Sequence, residues 1–289
     1  MFYKINKPRG LSSFKAIKSF AKQNNIKKIG HGGTLDPLAE GLLIVATNYD
    51  TKALGYILGD TKEYYVEATL HQKSASYDEG EEIFAIENHP IISKEKLLEA
   101  LTYWKNQTKQ LPPVFSAKKV DGVRSYKLAR ENKSVELAYA NIKIESLELI
   151  WFNELEQKFA IRCKVSKGTY IRSLVHDIGL YLNTDAVVNV LRREKIGNIT
   201  LNEKQEFEEI DKLNELFNVK LFMLSEGQLK ILAKSKELEI SELKNFCGNL
   251  IFTYFNRIIG WGNIKHGHCK MTKVFYARID AILKGENYD

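Results

Sequence analysis

Phe159-Ala160-Ile161-Arg162-Cys163-Lys164-Val165-Ser166-Lys167-Gly168-Thr169-Tyr170-Ile171-Arg172-Ser173-Leu174-Val175 changes its hydrophobic period at the glycine. Before Gly168, Phe159, Ile161, Cys163 and Val165 alternate with polar residues, the period of a half-buried strand. After it, Ile171, Leu174, Val175, Ile178 and Leu182 recur at helical spacing. Working outward, Lys62 to Leu70 alternates so that Tyr64, Val66, Ala68 and Leu70 share a face, and Leu42 to Thr47 reads as a short buried strand. A helix capped by Ser12 or Ser13 should carry an inner stripe of Phe14, Ile17, Phe20 and Ala21 with lysines between them. A second helix, from about Ser93 to Trp104, should turn Leu97, Leu98, Leu101 and Trp104 inward before Leu111-Pro112-Pro113 stops it. Strands and helices mix without a regular βα repeat, so the expected class is α+β with a mixed, mainly antiparallel sheet. The charged stretch from Glu203 to Leu224 is helix-prone, and β-like runs return at Leu250 to Asn256 and Arg257 to Trp261. The expected organisation is a large domain over residues 1–224, with an insertion at about 71–92, and a small β-rich domain over 225–289.

With 289 residues, 44% of them hydrophobic, the chain can bury a substantial core. Its 43 Lys and Arg against 36 Asp and Glu give a net charge of +7, which favours polyanionic partners. The charge is also segregated. Lys4, Lys7, Arg9, Lys15, Lys18, Lys22, Lys27 and Lys28 precede the first acidic residue, Asp36. Cys163, Cys247 and Cys269 are odd in number and widely spaced, so no disulfide framework is expected and a reducing compartment fits. The N-terminal residues lack a signal-peptide core, and no apolar run approaches the roughly 20 residues that span a bilayer. A cytoplasmic protein without membrane contact is expected.

Asp36 sits in Gly30-His31-Gly32-Gly33-Thr34-Leu35-Asp36-Pro37, a glycine-rich turn through which a ligand can approach backbone and carboxylate closely. By local chemistry alone an Asp-Pro pair is a turn initiator or helix cap. Cationic neighbours would keep the carboxylate ionised, free to bind, accept a proton or attack. Other segments stand beside it in the chain: Lys7-Pro8-Arg9-Gly10-Leu11-Ser12-Ser13; Leu38-Ala39-Glu40-Gly41-Leu42-Leu43; Lys62-Glu63-Tyr64; Ser116-Ala117-Lys118-Lys119 with Gly122, Tyr126, Ala129 and Arg130; Lys167 to Leu174; and Leu191-Arg192-Arg193. In order and spacing this set resembles the TruB-type tRNA pseudouridine synthases over residues 3 to 200, and Ile259-Gly260-Trp261-Gly262 looks like the late strand motif of a PUA domain.

The resemblance implies that uridine 55 in the T loop of tRNA is converted to pseudouridine without metal or cofactor: the N-glycosidic bond breaks, the uracil rotates, and it rejoins through C5. It places the nucleophile on Asp36, attacking C6 of the base or C1′ of the ribose, and the ion-pair partner on Arg172, whose guanidinium stays charged and binds carboxylates well. Base flipping requires a pocket. Tyr64 and Tyr170 match its lining, with Tyr64 stacking on uracil and assisting proton transfer; His31 matches the residue filling the vacated stack, and Leu191 one that closes the pocket. Taken singly, Tyr64 and Leu191 read as core residues, His31 as a turn residue and Arg172 as a surface salt bridge. Lys119, Tyr126 and the basic first helix match structural and backbone-contact positions. The implied partner is the T arm of tRNA, with no obligate protein partner, and the chain is expected to be monomeric.

Three departures stand out. Glu40 replaces a usual threonine, Asn48-Tyr49-Asp50-Thr51-Lys52 replaces Gly-x-Ala-Thr-Lys, and Ser74-Ala75-Ser76-Tyr77-Asp78 replaces Thr-Asp-Thr-x-Asp. A carboxylate facing Asp36 would raise the nucleophile's pKa, so Glu40 is expected to point away. His266-Gly267-His268-Cys269 with Cys247 lacks the paired Cys-x-x-Cys of a zinc site, and no metal is expected. The rival reading is a non-catalytic tRNA-binding or folding chaperone with the same surface. A synthase dependent on guide RNA and partner proteins fits less well, because the insertion after Leu70 resembles a self-sufficient RNA-gripping loop.

Overall fold

The structure, a computed structural model, describes residues 1–57, 61–116, 118–120, 122–131, 137–202 and 205–286, with backbone alone for Lys119, Val120, Arg124, Tyr126, Lys127 and Arg130. Its main sheet contains β1 (Phe2–Lys7), β2 (Glu40–Thr47), β3 (Thr61–Leu70), β4 (Ile144–Asn153), β5 (Lys158–Ser166), β6 (Ala186–Ile196) and β7 (Phe207–Glu209), in the order β4-β5-β3-β6-β2-β1-β7. Every neighbour along this path is antiparallel except β6 and β2, which run parallel through Arg192 opposite Glu40 and Arg193 opposite Gly41. Two antiparallel halves therefore meet at a short parallel seam. Gly41 permits the approach: its φ is +98°, and a Cβ there would lie 2.5 Å from the Arg193 carbonyl oxygen.

Helix α1 (Ser13–Gln23) is capped by the Ser12 hydroxyl, which accepts from the Lys15 N–H. Ala16, Ile17, Phe20 and Ala21 are buried, and Ile17 and Phe20 cluster with Tyr3, Ile5, Leu43 and Val45. Phe14, expected on this stripe, lies to one side of it and is 62% exposed beneath the Lys18 ammonium. Helix α2 (Lys94–Lys105) buries Leu97, Ala100 and Leu101, whereas Leu98, expected inward, is exposed. Helix α3 (Ile171–Tyr181) buries Ile171, Leu174, Val175 and Ile178, and with α2 it covers the apolar face of β3, β5 and β6. Ion pairs such as Arg162–Glu194 and Lys195–Glu63 also line these strands, so apolar and polar residues alternate as the strand pleat requires.

A second sheet contains β8 (Lys220–Met223), β9 (Glu237–Glu239), β10 (Cys247–Tyr254), β11 (Arg257–Lys265) and β12 (His268–Val274), ordered β8-β10-β11-β12-β9, with α4 (Glu226–Leu232) and α5 (Tyr276–Lys284) beside it. The helix-prone reading of 203–224 fails over its described part, which holds β7, a single turn at Leu213–Glu215, and β8. Ile210, Leu213, Leu216 and Phe217 are drawn into a core shared by both sheets, and that packing overrides local propensity. Strand β8, on the N-terminal side of residue 224, pairs parallel with β10 in the second sheet.

The shared core joins Phe2, Leu42, Ile44 and Ala46 to Ile251, Ile258 and Phe275. Within it, buried Arg278 donates to both Asp50 oxygens at 2.8 and 3.0 Å, and to the Ile258 carbonyl at 2.7 Å. The Met1 α-amino group donates to Asp50 Oδ2 at 2.6 Å. Burial pushes the Asp50 carboxyl up, but hydrogen bonding and charge from Arg278, together with the Met1 ammonium, pull it below its ordinary value. The pair therefore stabilises fully above pH ~4 and loses its contribution as the pH falls through the depressed folded value. Asp50→Asn should cost about 3–5 kcal/mol in denaturant unfolding by leaving the guanidinium without its anion, and Asp50→Leu combined with Arg278→Met should cost less than that single change.

Candidate active site

The loop before β2 is pinned by the N-terminal segment. The Gly10 N–H donates to the Pro37 carbonyl at 2.8 Å, and the Ser13 hydroxyl both accepts from the Leu35 N–H at 2.9 Å and donates to the Leu35 carbonyl at 3.0 Å. Lys7 is fully buried, and its ammonium donates to the carbonyls of Leu11, Pro8 and Pro37 at 2.6, 3.0 and 3.2 Å. Burial lowers its pKa to about 8 against the opposing pull of Asp36 and Glu40, and Arg193 adds to the lowering. Leu35 and Ala39 anchor in the core on either side of Asp36, so the backbone is fixed while the Asp36 side chain stays 37% exposed.

Arg172, on the first turn of α3, is 4% exposed. Its Nε donates to Asp36 Oδ2 at 2.8 Å, and its two terminal nitrogens donate to the carbonyls of Ser76 at 2.6 Å and Phe115 at 2.9 Å. Asp78 Oδ2 stands 3.5 Å from the same Nε. A buried guanidinium needs acceptors around it, and these aim it at Asp36. Asp36, Leu38, Ala39, Asp78, Arg172, Val188, Asn189 and Leu191 line one small cleft.

Tyr64 is buried opposite Arg193 in the β3–β6 register, and the guanidinium acts on its hydroxyl. Burial pushes the Tyr64 hydroxyl up, Arg193 offsets part of the rise, and the nearby Asp36 charge adds to it. Arg193, itself buried, donates to the carbonyls of Leu42 at 2.8 Å and Gly33 at 3.1 Å, tying the glycine turn to the sheet seam. His31 lies on the strand Ile29–His31 beside β2, and burial followed by Arg193 lowers its pKa, which favours a neutral ring. Tyr170 caps α3, with its backbone N–H and carbonyl both bound by Gln110 at 2.9 and 3.0 Å.

The structure thus brings Asp36, Arg172, Tyr64 and Leu191 together, with His31 and Tyr170 at the margins. Lys119 lies on the short strand Lys119–Val120 and Tyr126 on the helix Ser125–Arg130, but the side chains of both fall outside the described residues. Glu40 is held by Arg192, Nε to Oε1 at 2.9 Å and a terminal nitrogen at 2.8 Å, on the partner strand of the seam. Sequence reasoning missed Ser76, Asp78 and Arg193 as parts of the site. The signal for the first two was their atypical loop motif, and for Arg193 its place beside Leu191.

Elsewhere, His268 is paired with Glu239 and Cys269 is buried against Met271. Among the described residues no cluster of three His, Cys, Asp or Glu is placed to hold a metal, and no helix is long and apolar enough to cross a membrane.

Comparison with known proteins places this geometry in a lineage. A family model described as TruB family pseudouridylate synthase, N-terminal domain, matches residues 21–171. The tRNA pseudouridine synthase B of Mycoplasma mobile is 39% identical over 283 residues, covering 98% of this chain and 97% of that protein. The protein of the same name from Mycoplasmopsis pulmonis is 35% identical over 288 residues, covering 98% of each. Among solved structures, a Cbf5-Nop10-Gar1 complex contains a chain that shares the fold, with a TM-score of 0.65 at 19% identity over 95% of this chain and 84% of that one. The chain belongs to the TruB family of pseudouridylate synthases.

Proposed function

We propose that the chain isomerises uridine to pseudouridine in tRNA, at position 55 of the T loop, with Asp36 as the nucleophile. The observation that carries this reading is the 2.8 Å ion pair between a partly exposed Asp36 and a buried Arg172 in a small cleft that Leu191 also lines. The guanidinium braces the carboxylate, and exposure leaves one face of it open to a ligand. An everted uridine enters beside Leu191 and Tyr64, with Tyr170 at the rim and the neutral His31 ring occupying the stack it vacates. Asp36 attacks C6 or C1′, the glycosidic bond breaks, the uracil turns and rejoins the ribose through C5, the bond to Asp36 breaks, and the C5 proton leaves while N1 takes one up. Tyr64, whose pKa is raised by burial, assists on this reading as a relay, passing on its own hydroxyl proton as it takes one up.

The surface suits a polyanion. Lys15, Lys18 and Lys22 face solvent on α1. Lys52 from the first unit lies near Lys273 from the second and near Lys28, and Lys273 is the largest influence depressing the Lys52 pKa, with Lys28 adding to it. Such a cluster at the junction suits RNA phosphates, which position the substrate without reading its sequence. In the insertion, about 71–92, a hairpin of Gln72–Ser74 with Ile83–Ala85 exposes Phe84, which fits a loop that grips RNA. On this reading the main sheet forms the isomerase domain and the second sheet, which takes in β8 ahead of the expected boundary at 224, a PUA-like RNA-binding domain, working in the cytoplasm as a monomer without metal, cofactor or obligate protein partner.

Purified protein incubated with unmodified tRNA transcript should convert U55, while Asp36→Asn should abolish turnover and hold tRNA affinity within a factor of about three. Turnover by Asp36→Asn would remove Asp36 from its role; tight binding without conversion by the unsubstituted chain would favour the chaperone. Lys52→Ala with Lys273→Ala should lower the slope of log affinity against log salt by about 0.7–0.9 for each phosphate no longer neutralised, measured by filter binding across a salt series.

A further inference from the structure

Arg172 and His176 stand one turn apart on α3 and grip the same short stretch of the insertion. Arg172 takes the Ser76 carbonyl and faces Asp78. His176 takes the residue between them: its ring stacks on Tyr77 with centroids 3.9 Å apart and planes 9° from parallel. The His176 ring is itself oriented, since Nδ1 is 2.6 Å from Asp185 Oδ1, an oxygen that also accepts the Ala186 N–H at 2.7 Å. Tyr77 has a φ of +62°, a left-handed backbone that bulky residues rarely adopt and that surrounding contacts must hold. Its carbonyl accepts the Val188 N–H at 3.0 Å, from the strand that carries Leu191. Tyr77 occupies the unspecified position of the Thr-Asp-Thr-x-Asp pattern, and neither His176 nor Asp185 belongs to the segments that carry the family resemblance.

We propose that Tyr77 is a positioning residue for the reaction: clamped between its own strained backbone and the His176 ring, it holds the Ser76 carbonyl and the Asp78 carboxylate against Arg172. The line of contacts runs from Asp185 through His176 and Tyr77 to Ser76 and Asp78, then through Arg172 to Asp36. Two of the groups around the guanidinium come from this stretch. If it drifts, Arg172 loses its aim and the nucleophile its brace, and displacement of reacting groups by about 1 Å is enough to slow a reaction strongly. The ring, rather than its hydroxyl, does this. Burial, reinforced by Asp185 and Asp177, raises the Tyr77 pKa, so the hydroxyl stays neutral.

The inference rests on Asp36 and Arg172 being the reacting pair, and the test keeps the two apart. Single-turnover rates and tRNA dissociation constants are measured on the full chain for Tyr77→Phe, Tyr77→Asn, His176→Ala, the double variant Tyr77→Asn/His176→Ala, and Asp36→Asn as control. Asn tolerates the left-handed backbone and Ala suits the helix, so both single changes remove the stack while sparing the fold. Tyr77→Asn and His176→Ala should each slow the single-turnover step by about three- to tenfold at unchanged affinity, which is the worth of an aromatic pair. Tyr77→Phe should keep the rate, and the double variant should be no slower than the slower single one, because both changes break one contact. Amide exchange should quicken over 74–80 and nowhere else. Full rate in Tyr77→Asn, a defect confined to affinity, equal losses in Tyr77→Phe and Tyr77→Asn, or additive losses in the double variant would each overturn the proposal. Turnover by Asp36→Asn would instead overturn the assignment of the nucleophile.

Discussion

A guanidinium taken out of water must have acceptors around its N–H groups, and at Arg172 that requirement draws together three stretches far apart in the chain. Asp36 lies 136 residues away, the Ser76 carbonyl 96 and the Phe115 carbonyl 57. None of these contacts is local, yet each constrains the others because the guanidinium is planar and its donors form a fixed fork. The Asp36 carboxylate is thereby held by an element that cannot rotate freely, and the 76–78 stretch of the insertion is tied to the same group.

The short parallel seam explains why the site forms where it does. Antiparallel strands on either side could each be built from neighbouring segments, but the join between β6 and β2 is non-local and depends on Gly41 lying against the Arg193 backbone. Arg193 then reaches the carbonyls of Leu42 and Gly33 and lies opposite Tyr64, so the glycine turn, the seam and Tyr64 share one buried cation. On the same pair of strands, Glu40 is ion-paired with Arg192. The second unit is fastened by the same means, a buried Arg278 against Asp50 across 228 residues.

Much of this is legible in the sequence. Alternation marks β3 and β5, serine caps mark the starts of α1 and α2, and the glycine-rich setting of Asp36 sets it apart. Segment order links Asp36 to Arg172, Tyr64 and Leu191. Phe14, Leu98 and the 203–224 stretch depart from their local patterns because those patterns compete with packing contributed by remote residues, which periodicity does not register. Asp78, Ser76 and Arg193 escape sequence reasoning as site residues for a related reason: a loop residue acquires its role from what lies against it.

By itself the sequence determined what depends on near neighbours: the periods of strands and helices, the caps, the excess of positive charge and its segregation ahead of Asp36. Only the tertiary structure decided which cations leave water. Lys7, Arg172, Arg193 and Arg278 are the buried Lys and Arg among the described residues. The reason is energetic. Burying a charge is tolerable only where acceptors converge on it, and at Arg172, Arg193 and Arg278 those acceptors come from segments that meet only once the chain has folded.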